Sequence, residues 1–165
     1  MNNNLVVVND YNITPIPLQT VKSFLRVTSM EDDSLIALLL KSAINYAENK
    51  LGIVIGRKEY QYSIYGDNSD ILLPRFPILQ INSVKVDGIE TEYQMVANYL
   101  RIDRNNYNLP VKIRFTCENM NFGDSISIAI LRHVFFLYEN RSVSDVNSKD
   151  IESIYQSLIL NNYNI

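Results

Sequence analysis

A chain of 165 residues is long enough for one buried core and too short for two full-sized domains, so a single domain over residues 1–165 is expected. Hydrophobic residues make up 47% and charged residues 20%, which excludes a disordered or fibrous chain. Fifteen Lys and Arg against 18 Asp and Glu leave a net charge of −3, and no basic run exceeds Arg57-Lys58, so the sequence carries no electrostatic footprint for phosphate-backbone binding.

The chain opens with Met1-Asn2-Asn3-Asn4 and a β-type run, Val6-Val7-Val8. Asn, Asp and the prolines Pro15 and Pro17 follow, so residues 1–17 read as an extended arm. Leu18, Val21 and Leu25 lie at helical spacing with Phe24 beside them and predict a short amphipathic helix from Leu18 to Arg26, broken by Thr28-Ser29. Ser29-Met30-Glu31-Asp32 matches a capping pattern, and Glu31, Asp32 and Asp33 suit the positive end of a helix dipole. From Glu31 to Leu51 the apolar set Leu35, Ile36, Leu39, Leu40, Ala43, Ile44, Ala47 and Leu51 recurs at three and four, predicting a long helix that Gly52 ends. The first 18–52 segment is therefore a helical hairpin.

Beyond Gly52 the period changes to two. Ile53 to Ile55, Glu59 to Tyr65 and Ile71 to Leu73 read as strands, and Pro74-Arg75-Phe76-Pro77 as a rigid link, because two ladder amides are missing there. Gln80 to Val86, the turn Asp87-Gly88 and Ile89 to Tyr93 predict a hairpin. Tyr99 to Asp103 and Val111 to Cys117 follow, the latter alternating Val111, Ile113 and Phe115 inward with Lys112, Arg114 and Thr116 outward. Asp124 or Ser125 is placed to cap a helix running to Asn140, so apolar that it reads as the centre of the core, with Leu39 and Phe135 as core residues. Ile151 to Leu160 predicts a short last helix with Ile151, Ile154, Tyr155 and Leu158 on one face, before an untethered end.

Residues with chemical potential are few. His133 is the sole histidine, in the apolar helix beside Arg132, where a partly buried structural role is expected; no Ser-His-Asp order exists. Glu31-Asp32-Asp33 cannot share one helix face and reads as dipole partners, not a paired-carboxylate site. Arg141 is placed to meet the last carbonyls of its helix. The five glycines form no phosphate loop, and the single Cys117 allows neither an intrachain disulfide nor, with one His, a zinc site. No catalytic residue, cofactor or metal is expected. No stretch approaches the roughly 20 apolar residues of a membrane helix, and the N-terminus lacks the positive flank of a signal peptide, so cytoplasmic synthesis without a membrane partner is expected.

Several stretches carry a resemblance. Thr14-Pro15-Ile16-Pro17-Leu18 leads into Val21-Lys22-Ser23-Phe24-Leu25-Arg26-Val27, and Glu31-Asp32-Asp33-Ser34-Leu35-Ile36 opens a helix that ends Tyr46-Ala47-Glu48-Asn49-Lys50-Leu51-Gly52. Then come Ile71-Leu72-Leu73-Pro74-Arg75 with Pro77-Ile78, Ser83-Val84, and Ala129-Ile130-Leu131 through Tyr138-Glu139-Asn140-Arg141. In this order they resemble the head-tail connector (adaptor) family of long-tailed bacteriophages, over most of the chain. The departure is the C-terminal end, where the family closes on an apolar pair before Pro-Tyr-Arg and this chain runs Ile154-Tyr155-Gln156-Ser157-Leu158 into Asn161-Asn162-Tyr163.

The resemblance implies an α+β, mainly α fold: a helical bundle of two long and two short helices with a small inserted antiparallel β region at 53–117, a core helix at 124–140 and a C-terminal helix and tail at 148–165. It implies a virion protein of the head-tail junction, made in the bacterial host cytoplasm, and no enzyme. Copies would form a homo-oligomeric ring of about twelve, by heterologous contacts that close, between the portal protein and the tail-completion (stopper) protein. DNA would pass through without sequence-specific binding, which an acidic chain suits. Leu158, Ile159, Leu160, Tyr163 and Ile165, with Arg75 and Phe76, are the expected contacts to portal or neighbour, with packing of the C-terminal segment on its own domain an equal alternative, and removing Leu158 to Ile165 is expected to weaken attachment and spare the fold. Two other readings stand beside this one: a protein-interaction module that recruits a peptide at a β edge, and a small enzyme using His133.

Overall fold

The computed structural model describes residues 4–65, 70–102, 109–140 and 148–162. The chain divides into two compact units, Thr14–Ile55 with Asn121–Ile165, and Met1–Ile13 with Gly56–Met120. Among the described residues the first holds four helices and the second eight strands.

In the helical unit α1 spans Leu18–Leu25 and α2 Asp33–Leu51, while α3 spans Asp124–Glu139 and α4 Ser148–Asn162. Pro17 lies just ahead of α1, with the fixed φ that suits an entry, and its carbonyl accepts the amides of Thr20 and Val21. The break after α1 falls at Arg26, earlier than Thr28-Ser29. Arg26 takes a left-handed φ of 58°, which lets the amides of Arg26 and Val27 reach the carbonyls of Ser23 and Lys22.

The start of α2 differs from the capping pattern. The Ser29 hydroxyl accepts the Glu31 amide at 3.1 Å in a turn ahead of the helix, and Asp32 at the N-cap makes no side-chain bond to the first amides. The two carboxylates take tertiary donors instead. Asp33 Oδ1 accepts from Lys22 Nζ of α1 at 2.5 Å, and the Tyr138 hydroxyl of α3 donates to Asp32. Lys22 is only 5% exposed, and an ammonium left unpaired there would cost several kcal/mol. Pairing therefore outweighs the roughly 1 kcal/mol of a side-chain cap. At the far end Gly52 caps α2 with φ 71° and an amide bonded to the Glu48 carbonyl, as its position in the sequence implies.

The core of this unit combines Val21, Ile36, Leu40, Ala43, Ile44, Ala47, Ala129, Ile130, Val134, Ile151 and Tyr155 with Ile53 and Ile55. Those last two follow α2 and pack on the helices; the strand begins only at Gly56. Helix α3 is less central than its composition predicts. Only Ala129, Ile130, His133 and Val134 are buried, while Ile128 and Phe135 are each 46% exposed. Phe135 is thus not a core residue, and Leu39 is half-buried against the core rim. An apolar helix packed along one stripe leaves its remaining apolar side chains facing outward. Gly123 occupies the N-cap of α3 with φ 85°, and neither Asp124 nor Ser125 caps it.

His133 is 2% exposed. Its Nδ1 is hydrogen-bonded to the Tyr155 hydroxyl of α4 at 3.1 Å, and the edge of its ring meets Tyr46 of α2 at a centroid distance of 5.1 Å. Burial pushes its pKa down from 6.5 to about 4 and pushes that of Tyr155 well up, so both groups are neutral at physiological pH.

The strand unit contains a five-stranded antiparallel sheet in the order β1-β2-β8-β4-β5 and a three-stranded one in the order β3-β7-β6. The strands are β1 (Asn4–Asp10), β2 (Gly56–Tyr65), β3 (Asp70–Leu72), β4 (Ile78–Val86), β5 (Ile89–Glu90), β6 (Tyr93–Val96), β7 (Tyr99–Ile102) and β8 (Pro110–Asn119). β8 is the central strand. Val111, Ile113, Phe115 and Cys117 are fully buried on one face, with Phe115 stacked on its cross-strand partner Tyr60, and Lys112 and Arg114 face water. Thr116 does not face water; it is 1% exposed and bonds Asn82. The Asp87-Gly88 turn adopts positive φ at both residues, 50° and 82°, as a two-residue hairpin requires.

The fold is α+β, but it is not a helical bundle with a small β insert. Helix and strand occur in comparable amounts, and the first strand comes from the N-terminal segment. The stretch read as an extended arm is extended from Asn4 to Asp10, and it is hydrogen-bonded to β2. Period-two runs were legible one by one, but their joining across some 50 residues of sequence into one sheet is a long-range outcome.

Three stability measurements check this packing. Asp33→Ala should cost about 2–4 kcal/mol in urea unfolding by stranding Lys22, whereas Lys22→Met with Asp33→Leu should be near neutral. Ile130→Ala should cost about 2–5 kcal/mol and Phe135→Ala well under half as much. For His133, the unfolded chain binds the proton more readily than the folded one below pH 6.5, so its contribution to stability falls as pH drops toward 4. Wild type should lose about 2 kcal/mol more than His133→Gln between pH 7 and 4.5 in matched denaturant titrations.

Candidate assembly surfaces

Exposed apolar side chains concentrate on the strand unit. β1 forms one edge of the five-stranded sheet, and Val6, Val7 and Val8 are 46%, 50% and 41% exposed along it. A bulge at Val8 shifts the register between Val7 and Asn9, so the regular run is Asn4 to Val7, paired with Ser63 to Tyr60. After the strand the Tyr11 ring lies 4.8 Å under the Arg57 guanidinium.

The three-stranded sheet is apolar on one face and mixed on the other. Ile71, Leu100 and Ile102 are buried. On the opposite face Leu72, Tyr99 and Val96 form one cross-strand row, each about half exposed, and Asp70, Arg101 and Gln94 form the next. Arg101 donates twice to Asp70, at 2.6 and 2.9 Å; that pairing holds the Asp70 carboxyl below its usual range and raises Arg101. Both groups are at the surface, so the pair sets register more than stability.

The outer face of the five-stranded sheet is polar. A shallow hollow of about 500 Å³ there is lined by Gln61, Asn82, Ser83, Lys85, Glu90, Lys112 and Arg114, with Lys85 and Glu90 3.3 Å apart. In the helical unit Phe24 of α1 meets Phe135 of α3 edge to face, both more than 40% exposed.

The residues expected as portal or neighbour contacts fall into both units. Arg75 and Phe76 lie in the link between β3 and β4, where the Phe76-Pro77 bond is cis. Arg75 Nη1 donates to the Pro74 carbonyl at 3.4 Å, the Cys117 thiol donates to the Arg75 carbonyl at 3.6 Å, and Phe76 is 37% exposed. Leu158 and Ile159 are on α4 and pack, half-buried, against the helical core, so the expectation that the fold is indifferent to them does not hold. Leu160 is on the same helix; Tyr163 and Ile165 lie outside the described residues, as does Arg141. Lys50 of α2 donates to Glu152 of α4 at 2.5 Å, which raises the Lys50 pKa and lowers that of Glu152.

His133 has no access to a substrate: its ring is walled by Tyr46 and Tyr155. Among the described residues no group of three or more His, Cys, Asp or Glu side chains gathers as a metal site, and no helix is long and apolar enough to cross a membrane. The surfaces missed in the sequence are the β1 edge and the row Leu72-Tyr99-Val96. The Val6-Val7-Val8 run was a visible signal for the first, whereas the second exists only once three strands are in register.

Three solved structures share this fold. A chain in the neck of an empty GTA particle computed with C6 symmetry matches with TM-score 0.68 and 17% identity, over 87% of this chain and 88% of that one. A chain in the virion of a native gene transfer agent (GTA) particle matches with TM-score 0.66 and 18% identity, over 86% and 87%. A chain in the neck of a native GTA particle computed with C12 symmetry matches with TM-score 0.66 and 13% identity, over 87% of each chain. At such identities the likeness is one of fold. No curated protein matches the sequence. The model of the phage gp6-like head-tail connector proteins matches residues 15–114, running from the approach to α1 into β8. On that match, and with a fold shared along nearly its whole length with neck chains, the chain belongs to the phage gp6-like head-tail connector family and is a structural protein of that kind.

Proposed function

We propose that copies of this chain form a closed ring of about twelve at the head-tail junction of a tailed phage or related particle, between portal and stopper proteins, around a DNA passage. The observation that carries this reading is the family match joined to neck structures of C6 and C12 symmetry. The distribution of exposed groups supports it: apolar side chains lie on strand edges and helix surfaces, whereas the lone imidazole is sealed inside. Both units would serve as one connector domain, located in the virion. Arg75, Phe76 and the end of the chain from Leu158 through Leu160 to Tyr163 and Ile165 are the proposed contacts to portal or neighbour. A cation and an aromatic ring on a Pro-bounded link form a stiff contact that loses little entropy on docking.

Negative-stain microscopy of concentrated protein should show rings, and the cognate portal should pull the chain down. Because Leu158 and Ile159 pack half-buried against the helical core, portal contact is best probed by Arg75→Ala with Phe76→Asp and, separately, by ending the chain after Asn162. Each should weaken portal capture at least tenfold without lowering the melting temperature. A strict monomer that fails to bind portal would refute the assignment.

A further inference from the structure

Lys85, Lys112 and Arg114 do not form a basic run in the sequence. Tertiary pairing gathers them. In the register of β4 against β8, Lys85 stands directly opposite Lys112 and Ser83 opposite Arg114, while Gln61 of β2 flanks Arg114 on its other side. The alternation of β8 turns Val111, Ile113 and Phe115 inward, so Lys112 and Arg114 are exposed on the outer face, at the shallow hollow of about 500 Å³. That hollow holds three cations and one carboxylate, Glu90, which lies 3.3 Å from Lys85. Two ammonium groups directly opposite across an antiparallel pair repel, and Glu90 answers only one of them. Among the described residues neither Lys112 nor Arg114 has an ion-pair partner. The nearest further carboxylate in the register, Glu59 opposite Thr116, is engaged by the Asn82 amide.

The composition of the hollow distinguishes between anionic partners. Contacts between proteins are depleted in Lys and have an apolar centre, and this lining contains no apolar residue. Phosphate backbones are met by Lys and Arg together with Ser, Asn and Gln, which is the set present here in Lys85, Lys112, Arg114, Ser83, Asn82 and Gln61. We propose that this outer face of the five-stranded sheet meets the phosphate backbone of duplex DNA, without reading its sequence, and is the surface each copy turns toward the passage. The inference rests on the ring reading above. Three cations on one copy hold DNA weakly, whereas a closed ring repeats them around the duplex. Contacts of this sequence-independent kind let DNA slide.

Anisotropy of a fluorescent random-sequence duplex with full-length protein at ring-forming concentration tests this. At about 50 mM salt wild type should bind, and the affinity should fall steeply as salt rises. Lys112→Gln with Arg114→Gln should weaken binding by about tenfold or more and flatten the salt dependence by about two per bound copy, with rings and portal capture retained. Lys41→Gln with Arg132→Gln removes the same charge from exposed positions of the helical unit and should bind as wild type does. In wild-type protein the duplex should slow acetylation of Lys85 and Lys112 and leave Lys41 unchanged, a readout that needs no substitution. Equal loss in both double variants, or uniform protection of the three lysines, would mean a response to net charge alone and would overturn the proposal. Unchanged DNA binding in Lys112→Gln with Arg114→Gln, joined to lost portal capture, would also overturn it and assign the face to a protein. Rings that ignore DNA would overturn it while leaving the ring reading intact. Protein that stays monomeric and ignores portal would remove both.

Discussion

The constraint on the helical unit is that the buried Lys22 ammonium must keep the Asp33 carboxylate against it. An ammonium at 5% exposure is tolerable only with a carboxylate against it. The pair sits where α2 begins, Asp33 being its first residue, and the Ser29 hydroxyl is left to a turn ahead of it. Asp32, one residue earlier, accepts the Tyr138 hydroxyl of α3. Two successive carboxylates thereby tie the start of α2 to both α1 and α3. The lysine of Val21-Lys22-Ser23, the aspartates of Glu31-Asp32-Asp33 and the tyrosine of Tyr138-Glu139-Asn140 thus meet in one joint.

Further along the same helices the contact between Tyr46, His133 and Tyr155 joins α2, α3 and α4 with groups that stay neutral. Burial supplies that neutrality by disfavouring the imidazolium and the phenolate alike. The single histidine is therefore part of the packing. Its chemistry is suppressed by the same desolvation that makes it useful as a bridge between helices.

The strand unit follows a different rule. β8 has a partner on both sides along nearly its full length, so its alternation of buried Val111, Ile113 and Phe115 with exposed Lys112 and Arg114 sets the inner and outer faces of the sheet. Sheets have ends, however, and those ends carry unspent backbone groups.

Much was legible from residue spacing: the four helices to within a few residues, the Gly52 cap, the Asp87-Gly88 hairpin and the alternation in β8. These depend on neighbours close in sequence, through helical period, strand period and turn chemistry. The weight of β structure, the exposure of Phe135, the burial of Thr116 and the use of Asp32 and Asp33 as tertiary acceptors depended on partners tens of residues away. Local pattern states that a side chain is apolar or charged. Only the assembled chain decides which apolar stripe is covered, which carboxylate finds a buried cation, and which strand is left at an edge.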